Sequence, residues 1–154
     1  MSEINNKYLF ISVKPEFAEK IINNEKTIEL RKLRPNVKTG DYIIIYASYP
    51  CKSVVAFGTI KNIIEMAPNK MWTTFSQTLG IDKQRFDNYF DGRLNAIGIE
   101  LSKIIKVDPV HLDKIRSIDP KFHPPQLYKY ISIMNDDKAI INLIQLLLGD
   151  PLLI

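Results

Sequence analysis

The period of the apolar positions changes several times along the chain, and each change marks an element. Tyr8 to Lys14 is a run of aromatic and β-branched residues with the length of a buried strand, and Pro15 closes it while suiting the first turn of a helix. Phe17, Ala18, Ile21 and Ile22 then recur at helical spacing, and Asn23-Asn24 tolerates the left-handed backbone of a helix end. Thr27 to Leu33 has a period of two, which puts Thr27, Glu29 and Arg31 on one strand face and Ile28, Leu30 and Leu33 on the other. The slip at Lys32-Leu33 suggests a bulge. Past a turn bracketed by Pro35 and Gly40, Asp41 to Ala47 is apolar enough for a central strand, and Pro50 stops it. Val54 to Ile64 is a long fourth strand in which Gly58 marks a bulge or sharp bend.

From Pro68 to Phe90 the period lengthens, and Trp72, Phe75, Leu79, Phe86, Tyr89 and Phe90 predict two short helices separated by Gly80, placed as a cap. Asn95 to Val107 returns to strand and ends at Pro109, with Asp108-Pro109 opening a short helix through Ile115. After His123-Pro124-Pro125, Gln126 to Ile133 fits either helix or strand, and Asp137 to Leu148 is an apolar helix ended by Gly149 and Pro151. No repeat or linker interrupts the pattern, so one domain is expected over residues 1–154, with 137–148 packed on it. The expected fold class is α+β: a small, curled, mostly antiparallel barrel-like sheet of about five strands with flanking helices.

Composition narrows the chemistry. The longest uncharged apolar stretch, Ala139 to Gly149, is too short for a membrane helix, and the first residues are polar with both charge signs, so a soluble, cytoplasmic chain with no membrane association is expected. Cys51 is the single cysteine and His111 and His123 are the only imidazoles, so neither a disulfide, a zinc site nor any other metal or cofactor is expected. The net charge of +4 is concentrated: Lys26, Arg31, Lys32, Arg34 and Lys38 stand against Glu29 alone. Setting that segment aside leaves 16 cations and 16 anions from the 21 and 17 of the whole chain. One short segment thus carries the pull toward an anionic partner.

That segment reads N-E-K-T-I-E-L-R from Asn24 to Arg31, and it resembles the G-x-K-x-x-E-x-R signature of ASCH domains, a branch of the PUA-like superfamily. Asn24 replaces the glycine, a mild departure because both accept positive φ. The flanks I-S-V-K-P-E-F-A-E-K-I and G-D-Y-I-I-I-Y-A-S-Y-P, and F-H-P-P-Q-L-Y-K-Y nearer the end, extend the resemblance over Tyr8 to Tyr130. It is closest to stand-alone bacterial and archaeal proteins described as predicted transcriptional regulators. The resemblance implies a PUA-like β-barrel with a cleft beside the first helix that takes RNA or a modified nucleotide.

The residues bear on that cleft in their own right. Glu29 and Arg31 share a strand face, and Lys26 falls on the loop leading in, so two cations and a carboxylate face one place. Arg31 suits a phosphate and Glu29 an exocyclic amine. The plainer reading is a cross-face ion pair on a solvated strand, with Lys32, Arg34 and Lys38 as solubilising charge. Lys14 and Ser48 sit at strand ends where a cleft opens, and Tyr42, Tyr46 and Tyr49 are either stacking surfaces or core residues with a wet hydroxyl. Tyr128 and Tyr130 with Gln126 and Lys129 form a second aromatic and basic cluster, and Arg93 follows Gly92 in a turn. The ligand-binding set is therefore Lys26, Glu29, Arg31, Lys14, Arg34, Tyr46, Ser48, Arg93 and Tyr128.

Two function classes follow. The first is a regulatory binding module for RNA or a modified nucleotide, monomeric or dimeric through the terminal helix. The second is a hydrolase acting on nucleic acid, with Lys26 and Glu29 as its catalytic pair. The resemblance includes a branch of amidohydrolases that deacylate a modified cytidine and members described as ribonucleases. In the amidohydrolase branch the strand reads K-T-I-T-I-R and its second Thr is the presumed nucleophile; Glu29 occupies that position here, which weighs against acyl transfer.

Overall fold

A computed structural model describes residues 7–131. In chain order these form β1 (Tyr8–Val13), α1 (Pro15–Ile22), β2 (Ile28–Arg31), β3 (Tyr42–Ala47), β4 (Ser53–Met66), α2 (Pro68–Phe75), a 3-10 turn (Ser76–Thr78), α3 (Lys83–Tyr89), β5 (Ala96–His111), α4 (Leu112–Ile118) and β6 (Tyr128–Ile131). The strands make one six-stranded sheet in the order β2-β5-β4-β3-β1-β6. Its neighbours are antiparallel except β1 and β3, which run parallel with Leu9 opposite Ile43 and Ile11 opposite Ile45. The fold is α+β, a curled, mostly antiparallel sheet with flanking helices.

Both faces of β1 and β3 are covered, which is why their sequences are continuous apolar runs rather than alternating ones. Leu9, Ile11, Ile43 and Ile45 pack with Ala18 and Ile21 of α1, while Tyr8, Phe10, Ile44 and Tyr46 pack with Leu112 and Ile115 of α4. A third apolar cluster joins Ile28 and Leu30 to Met71, Leu79, Phe86 and Phe90, so α2 and α3 cover one face of β2. The opposite face of β2 carries Glu29 and Arg31, as its alternation requires.

The curl comes from irregularities in the long β4–β5 ladder. Its register slips at Val54/Ala56, at Phe57/Thr59 and at Ile60/Asn62. Gly58 lies in the second slip, where a β-carbon would stand 2.5 Å from Ile104 Cδ1 and 3.1 Å from Ser102 O. The edges β2 and β6 have no ladder between them among the described residues. A side chain crosses that seam instead: the Arg31 guanidinium donates to Ser12 O at 2.9 Å. The sheet is therefore a barrel left open along one line.

The segment that fitted either helix or strand is a strand over Tyr128–Ile131, the sixth of the sheet, with Tyr8 opposite Ile131 and Ile11 opposite Tyr128. Other expectations are corrected. Pro109 does not end β5, because the slip at Val54/Ala56 takes it out of the regular ladder and pairing resumes at Val110. The helix expected from Asp108 accordingly starts at Leu112, where His111 Nδ1 accepts from the Asp113 amide at 3.1 Å. Leu33 does not join the core; β2 stops at Arg31 and Leu33 is exposed. The helix expected at 137–148 lies outside the described residues. No helix among the described residues is long and apolar enough to cross a membrane.

Candidate functional site

The segment between α1 and β2 is stitched to the loop before α3. The Thr27 amide donates to Thr78 O at 2.9 Å, Lys20 Nζ to Gly80 O at 3.0 Å, and Lys26 Nζ to Leu79 O. Asn24, in the glycine position of the signature, has φ 63° and supplies the left-handed turn that launches this segment. Gly80 has φ +66°, and a β-carbon there would stand 2.7 Å from Lys26 Cβ, so a bare backbone lies along the lysine stem. That packing buries Lys26 to 3% exposure.

Glu29 lies between two cations. Its Oε2 accepts from Arg31 Nη2 at 2.6 Å and Nε at 3.1 Å, and its Oε1 is 3.6 Å from Lys26 Nζ. All three side chains are buried, so this is an ion network beneath the surface rather than a pair on a solvated strand. Burial pushes the Lys26 ammonium below the usual lysine range, with the Glu29 charge opposing the shift.

The network lies in the wall of a cavity of about 410 Å³. Ser12, Val13 and Lys14 at the end of β1, Ser48 after β3, and Gln126 and Leu127 before β6 line it from the sheet. Phe17 of α1, Leu30 of β2, Ile81, and Arg85 and Tyr89 of α3 complete the lining. Arg85 is fixed by two hydrogen bonds to Glu16, at 2.7 and 3.0 Å, and lies 4.9 Å from the Phe17 ring centroid. Tyr89 directs its hydroxyl at Leu30 O, 3.5 Å away, and burial raises its phenol above the ordinary value. The cavity thus has apolar walls, a surplus of cations and one buried carboxylate, and its size suits a nucleoside or nucleotide.

Of the residues singled out in the sequence, Lys26, Glu29, Arg31, Lys14 and Ser48 meet at this cavity. Arg93 and Tyr128 line an adjoining groove with Arg31, and Arg34 lies beyond it, 3.4 Å from Glu65. Tyr46 is a correction: it faces α4, is 3% exposed and packs on Phe10, because its place on β3 has the opposite parity to Ile45 and Ala47. Phe17, Arg85 and Tyr89 were missed. The four-residue spacing of Arg85 and Tyr89 on one helix face was the available signal for two of them. Among the described residues no group of three or more His, Cys, Asp or Glu is gathered to hold a metal.

Comparison with known proteins places this architecture. The family described as a domain of unknown function, DUF365, matches residues 9–121. A protein of Zymomonas mobilis named "ASCH domain-containing ribonuclease" is 32% identical over 136 residues, 88% of this chain and 92% of that protein. The chain belongs to the ASCH domain family. The crystal structure of ASCH from Zymomonas mobilis matches it with a TM-score of 0.83 and 28% identity, covering 91% of this chain and 95% of that one. The N-terminal domain of Staphylothermus marinus McrB, at TM-score 0.56 and 16% identity over 92% of this chain and 98% of that one, shares the fold. Lys26, Glu29 and Arg31, which match three of the four fixed positions of the ASCH signature, are the same three that form the buried network.

Proposed function

We propose that this ASCH domain binds RNA by taking one nucleotide into the cavity around Lys26, Glu29 and Arg31. The observation that carries the reading is the buried network itself. Two cations and one carboxylate stand in a cavity of about 410 Å³ with apolar walls, a costly arrangement that a dry core does not need. Arg31 spends Nε and Nη2 on Glu29 and Ser12 O, which leaves its Nη1 donors for a phosphate. Glu29 Oε1, 3.6 Å from Lys26, retains capacity to accept from a base amine. The Zymomonas mobilis relative, named a ribonuclease, supports RNA as the ligand class. Binding without turnover would make the domain regulatory.

Arg31→Lys tests this reading, since it keeps the charge and loses the planar fork. Affinity for short RNA is expected to fall several-fold with the thermal midpoint nearly unchanged, measured by fluorescence anisotropy and calorimetry. Unchanged affinity at low and high salt would contradict the assignment.

A second reading, phosphodiester cleavage at the same cavity, is favoured by the relative's name and by the depressed Lys26. A buried amine held below its usual range accepts a proton nearer neutral pH than a surface lysine does. End-labelled RNA incubated with wild type and Lys26→Met separates the readings. Fragments from the wild type alone support cleavage, and intact RNA that remains bound supports the binding module.

A further inference from the structure

The cavity opens onto a continuous groove. Arg31, Tyr89 and Leu127 line both the cavity and an adjoining depression of about 260 Å³. That depression shares Lys32, Leu33 and Arg93 with a third, of about 440 Å³, which ends at Arg34 and Leu94. The three hollows follow β2 and the bend after it, the segment that carries the whole charge excess of the chain.

Two features of this groove are unlike an ordinary solvated face. Leu33, Leu94 and Leu127 line it at 60%, 89% and 56% exposure, among the largest exposures of big apolar side chains in the described residues. Cations alternate with them: Lys32 Nζ lies 4.8 Å from the Tyr89 ring centroid, and Arg93 Nη2 donates to Lys32 O at 3.0 Å. Glu65 is the counter-charge at the far end, 3.4 Å from Arg34 and hydrogen-bonded by Asn95 at 3.3 Å, and it leaves Lys32 and Arg93 without an acidic partner among the described residues. Apolar faces interleaved with unneutralised cations suit bases and phosphates of a single strand. A nucleotide held in the cavity must be unpaired, which favours a single strand over a duplex.

We propose that the cavity is the first of three subsites, and that two further nucleotides of the same unpaired RNA strand lie along the Lys32–Arg93 groove as far as Arg34. This rests on the RNA reading of the cavity and extends it to a footprint of three nucleotides. Arg31 is shared by the cavity and the groove and so stands between the first two units.

A ladder of fluorescein-labelled oligocytidylates from one to six nucleotides, whose bases carry the exocyclic amine that Glu29 would accept from, titrated into the full chain by anisotropy, tests the footprint. Affinity is expected to climb to three nucleotides and then level. Arg93→Ala and Arg34→Ala are expected to lower trinucleotide affinity about fivefold each, with the salt slope reduced by about 0.7 per cation removed. Lys61→Ala, on a separate hollow beside Gly58, serves as the unaffected control. Equal affinity for one and three nucleotides would overturn the groove while leaving the cavity reading standing, and absence of binding at every length would overturn both. Equal displacement of the trinucleotide by oligoglutamate of matched charge would make the groove a polyanion or acidic-peptide surface, and that too would overturn the proposal.

Discussion

Glu29 serves two buried cations at once, so its charge matters more than either partner's. Removing one partner of a buried ion pair leaves an uncompensated charge, with a cost of about 3–5 kcal/mol. Glu29→Gln strands both Lys26 and Arg31 and is expected to lower stability by about 3 kcal/mol in urea denaturation. Lys26→Met leaves the Glu29–Arg31 contact of 2.6 Å intact and is expected to change stability at pH 7 by less than about 1 kcal/mol. The depressed Lys26 also sets a pH dependence. Between its folded value and the ordinary 10.5 the unfolded chain binds more protons, so stability rises with pH through that window, and this rise should vanish in Lys26→Met. Affinity for RNA runs the other way, falling as pH climbs through the same window, and Lys26→Arg should carry full affinity to higher pH. A wild-type affinity that is flat to pH 10 would contradict a depressed, ligand-facing Lys26. The trio was legible as residues because the period of β2 puts Glu29 and Arg31 on one face. Its burial was not, since nothing in a single strand reveals that Ile81, Tyr89 and Leu127 close over it. Tyr46 shows the converse: a tyrosine amid isoleucines reads equally as a stacking surface or a core residue, and only the helix packed on its side of β3 decides.

At the scale of elements, the site depends on the joint between the β2 lead-in and the loop before α3. Gly80→Ala adds a β-carbon 2.7 Å from Lys26 Cβ at a left-handed position. The conformational cost alone is about 1–2 kcal/mol, and the contact falls on the rigid root of the lysine rather than its flexible end. The variant is expected to lose about 2 kcal/mol and, because Lys26 must shift, to lose RNA affinity as well; unchanged affinity would show that Lys26 does not face the ligand. Element boundaries were readable where punctuation is local, as with Pro15 opening α1 and Gly80 separating α2 from α3. They were misread or left open where a ladder partner decides. Pro109, expected to end β5, stays within it because β4 slips beside it; Tyr128–Ile131, which fitted either helix or strand, is a strand because it pairs with the edge of β1.

For the molecule as a whole, the decisive feature is that, among the described residues, the sheet stays open between β2 and β6. The cavity occupies this seam, assembled from segments more than 100 residues apart in sequence, from Ser12 to Leu127. Such a site cannot be read from spacing, although the family resemblance located its charged part. Amide chemical-shift mapping of the full chain with a short unpaired RNA tests the central claim most directly. The account predicts that the largest shifts fall at Ser12, Glu29, Arg31, Tyr89 and Leu127 and extend to Arg93. Shifts centred instead on the separate hollow formed by Gly58, Lys61 and Ser102, with the seam unperturbed, would contradict it.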